Sequence, residues 1–359
     1  MHPSFSLQIE NNYYQSETLL KRVNNTAITE AEPWIESIFS FLRDWLNDND
    51  EITAKTSGST GVPKPIRLKK RAMLASARLT CDYFGLQPMD KALLCLSTDY
   101  IAGKMMLVRA IERGLYLIAV SPQGCPLSGT SIKVKFSAMV PLQVERCIEE
   151  GCLDRTEQLL IGGAALPNHL LNSVQKTTTA CYISYGMTET MSHVALRRLN
   201  GPRASQWYEG LTGIRFSLDQ RGCLSIDAAP LGIANIQTND LCELQDEQHF
   251  RWLGRADFVI NSGGIKIIPE QIEFLLSTEV LFPFIITGIP HPLLGEQVVM
   301  IVEAAQDEIL ASQILKKVNT ICPQYHAPKQ ILFVPRLNYT STGKIDRIKT
   351  AKQFIDQSE

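Results

Sequence analysis

Lys55-Thr56-Ser57-Gly58-Ser59-Thr60-Gly61-Val62-Pro63-Lys64 decides how this chain is read. Hydroxyl residues and two glycines crowd six consecutive positions, a proline fixes the exit, and a lysine follows. Glycines let backbone N–H groups turn inward into a concave nest for an anion. Hydroxyls add donors, and the lysine adds a compact positive charge. The ligand this pattern suits is a polyphosphate. It is not a Walker A loop, which needs Gly-Lys-Ser/Thr opening straight into a helix. Here Lys64 lies between Pro63 and Pro65, neither of which has an N–H to donate. Ile52-Thr53-Ala54 before the loop and Pro65-Ile66-Arg67-Leu68 after it predict strands, so a metal on the phosphates must be held from elsewhere in the chain.

The rest of the composition narrows the class. At 359 residues and 45% hydrophobic the chain is long enough for two or three cores. Its formal charge is 35 − 37 = −2, without a long run of either sign, which excludes a nucleic-acid-coating surface. Nine cysteines form no C-x-x-C pair and are odd in number, so neither a zinc site nor a secreted disulfide framework is expected, and they read as small buried residues. Residues 1–20 lack an apolar core, and the most apolar run, Leu281 to Ile289, is short and broken by Pro283 and Gly288. Neither a signal peptide nor membrane insertion is expected, and a cytoplasmic location is.

Along the chain, periodicity predicts a helix from Pro33 to Leu46, a helix from Arg71 to Phe84 closed by Gly85, and buried strands at Leu93–Leu96 and Leu115–Val120. This alternation implies a layered α/β domain. Leu159–Pro167 and Cys181–Glu189 each read as a strand feeding a glycine turn, where ligands of open α/β sheets bind. Gly201 to Pro230 has the turn-punctuated look of a small barrel or subdomain. From Phe258 the pattern resets to short strands and two helices, about 269–278 and 307–320. The expected division is a large α/β domain over 1–255 and a small mobile α+β domain over 256–359.

Once Tyr185-Gly186-Met187-Thr188-Glu189 is set beside the opening loop, the chain resembles the adenylate-forming superfamily of acyl-CoA synthetases, luciferases and peptide-synthetase adenylation domains. The family's landmarks recur in order: Thr56–Lys64, Gly162–Leu166, Tyr185–Glu189, Asp240, Gly254–Asp257, Ser262–Gly264 and Ser341–Lys344. The resemblance implies an enzyme that joins a carboxylate to the α-phosphate of ATP, releases pyrophosphate, and passes the acyl group to the thiol of CoA. It implies that Thr56, Ser57, Gly58, Ser59, Thr60, Gly61 and Lys64 hold the β- and γ-phosphates. Glu189 would ligate Mg2+, Thr188 would donate to the α-phosphate, and Tyr185 and Gly186 would lie against adenine with Gly163 and Ala164 at its edge. Asp240 and Arg255 would bind ribose, although Thr238-Asn239-Asp240 departs from the family's Thr-Gly-Asp. Lys344 would bridge the attacking carboxylate and the α-phosphate, Asp257 would be the hinge, and Ser262, Gly263 and Gly264 would leave room for the pantetheine arm of CoA. Without the ordered set, Glu189 reads as an acid at a helix start and Arg255 with Asp257 as a surface ion pair.

The phosphate loop begins at residue 56, early for this family, so an acyl-CoA synthetase fold with a shortened amino-terminal portion is expected. In this respect, and over Tyr100–Arg109, the chain looks most like the short bacterial o-succinylbenzoate–CoA ligases of menaquinone synthesis. Related members have His where Tyr100 stands. Tyr100 and Met105 are candidates for an aromatic pocket, and Lys104 and Arg109 for counter-charges to the second carboxylate of such a substrate; each cation reads equally well as structural. Alternatives are another aryl or acyl acid, a stand-alone enzyme loading a carrier protein, and a non-catalytic nucleotide-binding protein. The expected partners are small molecules alone, and oligomeric state is left open, with a homodimer among the options.

Overall fold

The computed structural model describes residues 1–24, 32–55, 65–164, 166–340 and 345–355. Thr56–Lys64, Ala165 and Ser341–Lys344, all carrying expectations stated above, lie outside the described residues.

The largest sheet is built around six parallel strands, in spatial order Ser6–Ile9, Tyr116–Ala119, Lys91–Leu94, Val134–Met139, Thr156–Ile161 and Ala180–Gly186. Their near-continuous apolar runs follow from burial on both faces, where two separate clusters of apolar side chains pack. Lys91–Leu94 is the point at which the strand order reverses. The chain leaves it through the helix Ile101–Arg113 to Tyr116–Ala119 on one side, then returns to Val134–Met139 on the other. A crevice for ligands opens outside the carboxyl ends of strands at such a reversal. Helices Lys70–Tyr83 and Ile101–Arg113 pack together over this region. The first ends as expected: Gly85 takes φ 60°, its N–H bonds Asp82 O at 3.1 Å, and Leu86 N–H bonds Cys81 O at 2.9 Å.

Beyond Ala180–Gly186 the sheet turns antiparallel through His193–Arg198, Tyr208–Gly210, His249–Arg255, Ile233–Leu244, Cys223–Ala228 and Ile214–Leu218. The small barrel expected from Gly201–Pro230 is therefore not a separate unit. Tyr208–Gly210 is hydrogen-bonded between His193–Arg198 and His249–Arg255, which makes the ladder continuous. The cause is His193–Arg198, which doubles back along Ala180–Gly186 and leaves its far edge for later strands to pair with. Glu51–Lys55 and Pro65–Lys69, the strands expected on either side of the opening loop, pair antiparallel with Lys55 opposite Pro65.

A second sheet holds Ile260–Ser262, Ile265–Ile267, Phe284–His291, Gly295–Glu303 and Gln330–Val334 around its own apolar cluster. Ser262-Gly263-Gly264 forms its tightest turn. Gly263 at φ 57° and Gly264 at φ 85° both lie in the left-handed region that a two-residue hairpin of this type requires. Helices Pro269–Leu276, Glu308–Ile321 and Arg347–Ile355 cover the sheet. Asp307 caps the second, accepting from Ile309 N–H at 2.8 Å and Leu310 N–H at 3.0 Å. Arg347 pins the last helix through two bonds of 2.7 Å to Glu273 and one of 2.7 Å to Ile286 O. The last strand of the large sheet ends at Arg255, and the first of the small sheet begins at Ile260. Among the described residues no helix is long and apolar enough to cross a membrane.

Candidate active site

Two neighbouring parallel strands deliver the first group of residues. Thr156–Ile161 runs out into Gly162 and Gly163, and Ala180–Gly186 runs out beside it into Met187, Thr188 and Glu189. Gly186 is required where it stands: a Cβ there would lie 2.4 Å from Ser192 O and 2.5 Å from His193 Cα, because the returning strand presses against it. Thr188–Thr190 then makes one tight turn, stapled by Thr190, whose Oγ1 accepts from Met187 N–H at 3.0 Å and lies 2.7 Å from Ser192 O. Met191 closes the turn at φ 62°, a left-handed conformation unusual for a long side chain. The consequence is a division of labour in the turn. Thr188 is buried, whereas Glu189 and Gly163 face solvent. An exposed carboxylate such as that of Glu189 is a suitable oxygen donor for a hard cation such as Mg2+.

A second group centres on Asp240, buried on the strand Ile233–Leu244. Its carboxylate accepts from Tyr185 Oη at 2.7 Å and from Trp252 Nε1 at 3.1 Å, and Arg255 Nη1 stands 3.8 Å away. Burial, reinforced by the Asp240 charge, pushes the Tyr185 phenol far above its usual range, so Tyr185 stays protonated and donates to Asp240. Its ring packs against Phe250 at 4.9 Å and Tyr208 at 5.9 Å. Thr238 fixes the turn before Asp240, accepting from Asp240 N–H at 3.1 Å and donating to Leu224 O at 2.8 Å. Asn239, the departure noted in the sequence, reaches across to Asp257: its Nδ2 donates to Asp257 Oδ1 at 3.0 Å while Arg255 holds Asp257 Oδ2 at 2.6 Å. Arg255 and Asp257 thus form the ion pair weighed above, joined to Asp240. The sequence offers no signal for Trp252: three residues before Arg255 it falls on the other face of a regular strand, and the pairing of this strand is irregular between Leu241 and Cys242.

The third group is organised by Arg109 on the helix Ile101–Arg113. Its side chain is 2% exposed. Nη2 donates to Ser192 Oγ at 2.6 Å and Nη1 points at Met106 Sδ at 3.6 Å, while Nε is buried without a partner. Among the described residues none of its partners is a carboxylate. Burial lowers its pKa from the usual guanidinium value to about 10. His193, next to Ser192, contacts Ser192 Oγ through Nδ1 and Thr80 Oγ1 through Nε2, each at 3.2 Å. Burial first, and the Arg109 charge second, hold it well below the ordinary imidazole range. A lone cation therefore lies directly beneath the turn that carries Thr188 and Glu189.

The other acyl-pocket candidates divide. Met105 is fully buried in the core, and Tyr100 is exposed. Lys104 donates to Thr98 O at 2.6 Å and lies 5.2 Å from the centre of the Phe41 ring, which gives it a structural duty at the loop 97–100. Gly103 brings that loop close, since a Cβ there would meet Ser97 O at 2.3 Å. Ser262, Gly263 and Gly264 sit on the second sheet, where Gly263 N–H bonds Leu294 O at 2.9 Å, and Asp257 lies in the turn Ala256–Phe258 that leads to it.

Comparison with known proteins places the chain in a family. The model of the AMP-binding enzyme family matches residues 55–214, and that of the AMP-binding enzyme C-terminal domain matches residues 284–344. The crystal structure of an acyl-CoA synthetase (AMP-forming)/AMP-acid ligase II-like protein from Dyadobacter fermentans is 38% identical, covers 90% of this chain and 95% of its own, and superposes with a TM-score of 0.62. The chain belongs to the AMP-binding enzyme family. This AMP-binding enzyme is also similar to a probable 2-succinylbenzoate–CoA ligase of Mycobacterium tuberculosis, 24% identical over 90% of each chain. It is 25% identical to the 2-succinylbenzoate–CoA ligase of Staphylococcus epidermidis over 85% of this chain and 70% of the relative. The Bacillus subtilis o-succinylbenzoate coenzyme A synthetase solved with ATP and magnesium shares the fold, with a TM-score of 0.71 at 19% identity over 83% of this chain and 69% of that one.

Proposed function

We propose that this AMP-forming acid–thiol ligase activates o-succinylbenzoate, a diacid, and transfers it to CoA. The observation that carries this reading is Arg109: a guanidinium 2% exposed, with Nε unpaired and no carboxylate among its described partners, under the turn of Thr188 and Glu189. An isolated buried cation costs several kcal/mol and calls for a counter-charge. A diacid supplies one: its first carboxylate reacts and its second pairs with Arg109. A monoacid leaves Arg109 unmatched. The names of the Mycobacterium and Staphylococcus relatives support the same acid.

The chemical obstacle is charge, since a carboxylate must reach the α-phosphate of a triphosphate against a repulsion of several kcal/mol. In our reading the residues Thr56–Lys64 hold the outer phosphates and Thr188 donates to the α-phosphate. Mg2+, held by Glu189, neutralises phosphate charge when bound. Asp240 uses one lone pair for Tyr185 and one for Trp252, which leaves acceptor capacity for the ribose hydroxyls, with Arg255 beside it. Tyr185, Gly163 and Ala164 border adenine. Lys344 arrives with the small domain to bridge carboxylate and phosphate, and rotation about Asp257 then brings Ser262–Gly264 to the acyl-adenylate for thiol attack.

The test is incubation with ATP, Mg2+, CoA and o-succinylbenzoate, with mass detection of the thioester, beside a panel of aryl and aliphatic monoacids and diacids in a pyrophosphate-release assay. Preference for the diacid supports the reading. Faster turnover of a monoacid overturns the substrate, CoA-independent loading of a carrier protein overturns the acceptor, and ATP binding without pyrophosphate release for any acid overturns catalysis.

A further inference from the structure

Cys125, Cys147 and Cys152 converge at the far end of the helix Pro141–Glu149, a place no step of the ligase reaction uses. The helix ends at Gly151, φ 63°, whose N–H bonds Ile148 O at 3.0 Å while Cys152 N–H bonds Cys147 O at 2.9 Å. This pair of bonds folds the residue after the glycine back over the helix's last turn, so Cys147 and Cys152 face one another. The segment after Tyr116–Ala119 then lays Cys125 across both: its Sγ is 3.5 Å from that of Cys147 and 3.4 Å from that of Cys152. All three sulfurs lie within 4.8 Å of one another, all are buried, and none is in a disulfide. Their surroundings are apolar side chains such as Leu127, Val144 and Leu153. Two features attend the sulfurs. The Leu127 backbone N–H faces the Cys147 thiol and favours its thiolate, and Arg155, tied to Leu127 O at 2.5 Å, places its positive charge near Cys152.

We propose that Cys125, Cys147 and Cys152 form a three-thiolate site for a soft d10 cation, Cu(I). The ligand set is sulfur alone, which discriminates against Mg2+ and Ca2+ and favours thiophilic ions. A metal about 2.3 Å from each of three sulfurs holds them about 3.8–4.0 Å apart, a few tenths of an ångström beyond the two spacings that Cys125 makes. Cys125 lies outside the regular helices and strands and supplies that small movement. No His or carboxylate joins the described group, which favours an ion content with three ligands over a tetrahedral one. Binding replaces three S–H bonds by three S–Cu bonds and releases three protons to solvent, without oxidation or reduction. The resulting negative charge is met by Arg155 and the Leu127 N–H.

The full chain, reduced and kept anaerobic, is titrated with Cu(I) against a chromophoric chelator. One ion per chain, a near-ultraviolet sulfur-to-copper absorption, and an X-ray absorption spectrum with three sulfurs at about 2.3 Å are expected. Cys125→Ala and Cys147→Ala should each weaken binding by about 100-fold, the scale reached by losing even a supporting partner of a metal ligand. Cys322→Ala, a buried cysteine of the small sheet's core, should leave binding unchanged. Copper should raise the melting temperature of the wild type and of Cys322→Ala but not of Cys125→Ala, a comparison that separates loss of the site from loss of the fold. Equal affinity in wild type and Cys125→Ala overturns the site. So does a reduced chain that takes no copper, or that only loses two hydrogens to a disulfide on exposure to air.

Discussion

Replacing Arg109 by Met should make the protein more stable and a poorer ligase for the diacid. Burial lowers the guanidinium pKa on folding, from its usual value to about 10. At about 1.36 kcal/mol per pKa unit this is a cost of about 3 kcal/mol to the folded state. The sign follows from linkage: the unfolded chain holds this proton more tightly, so the cost is present in full below about pH 10 and fades only as pH rises beyond it. Met fills a similar unbranched volume without charge and adapts to irregular space. Against the gain stands the Ser192 hydroxyl, which loses a partner at 2.6 Å, worth about 1–2 kcal/mol. A net stabilisation of about 1–2 kcal/mol should raise the melting temperature by about 3–6 °C for a domain of this size. The same change removes the counter-charge for a second carboxylate, so kcat/KM for o-succinylbenzoate should fall about 100-fold, near 3 kcal/mol. Turnover of an aryl monoacid should hold or rise. Denaturation midpoints and pyrophosphate release with both acids, on one preparation, decide the matter. An Arg109→Met protein that is less stable, with its diacid KM unchanged, would refute the reasoning.

Lys344→Ala should cut acyl-adenylate formation by about 1,000-fold, while thioester formation from supplied acyl-adenylate stays within a few-fold; an equal fall in both half-reactions removes Lys344 from the bridging role. Asn239→Gly deletes the 3.0 Å bond to Asp257, the proposed hinge. One such bond, about 1 kcal/mol, should restrain rotation, so the variant's thioester step should run about 5-fold faster with adenylation unaltered, and identical single-turnover rates would mean that nothing swings about Asp257. His193 is held neutral by burial and by Arg109, well below an imidazole's ordinary value. Its depressed folded pKa contributes stability that is present above about pH 6.5 and lost as pH falls, and His193→Gln should flatten that acid limb in urea melts recorded from pH 7 to pH 5.

What the sequence exposed and what it concealed have separable physical causes. Gly263-Gly264 entered only through the resemblance, as room for pantetheine, and its two left-handed residues turn a hairpin; Gly186 was legible as the turn ending a strand because it answers a local demand, a backbone approach of 2.4 Å. The parallel strands were legible for the same reason, since burial on both faces leaves an apolar run in any four or five residues. Pairing between distant strands leaves no such mark, so Gly201–Pro230 looked self-contained while its strands extend the main sheet. The state of Arg109 was half visible: Met105-Met106-Leu107-Val108 is apolar around the whole helix, which signals burial on every side, yet no local pattern shows that its one cation lacks a carboxylate. The cysteine cluster was hidden by its spacing. A search for C-x-x-C supposes that proximity comes from a short turn, whereas here a left-handed helix end brings residues 147 and 152 together and a separate segment adds residue 125. The signal available was Gly151, a helix-ending glycine directly before one cysteine and four residues after another. Reading helix ends for what they bring face to face recovers contacts that motif spacing overlooks.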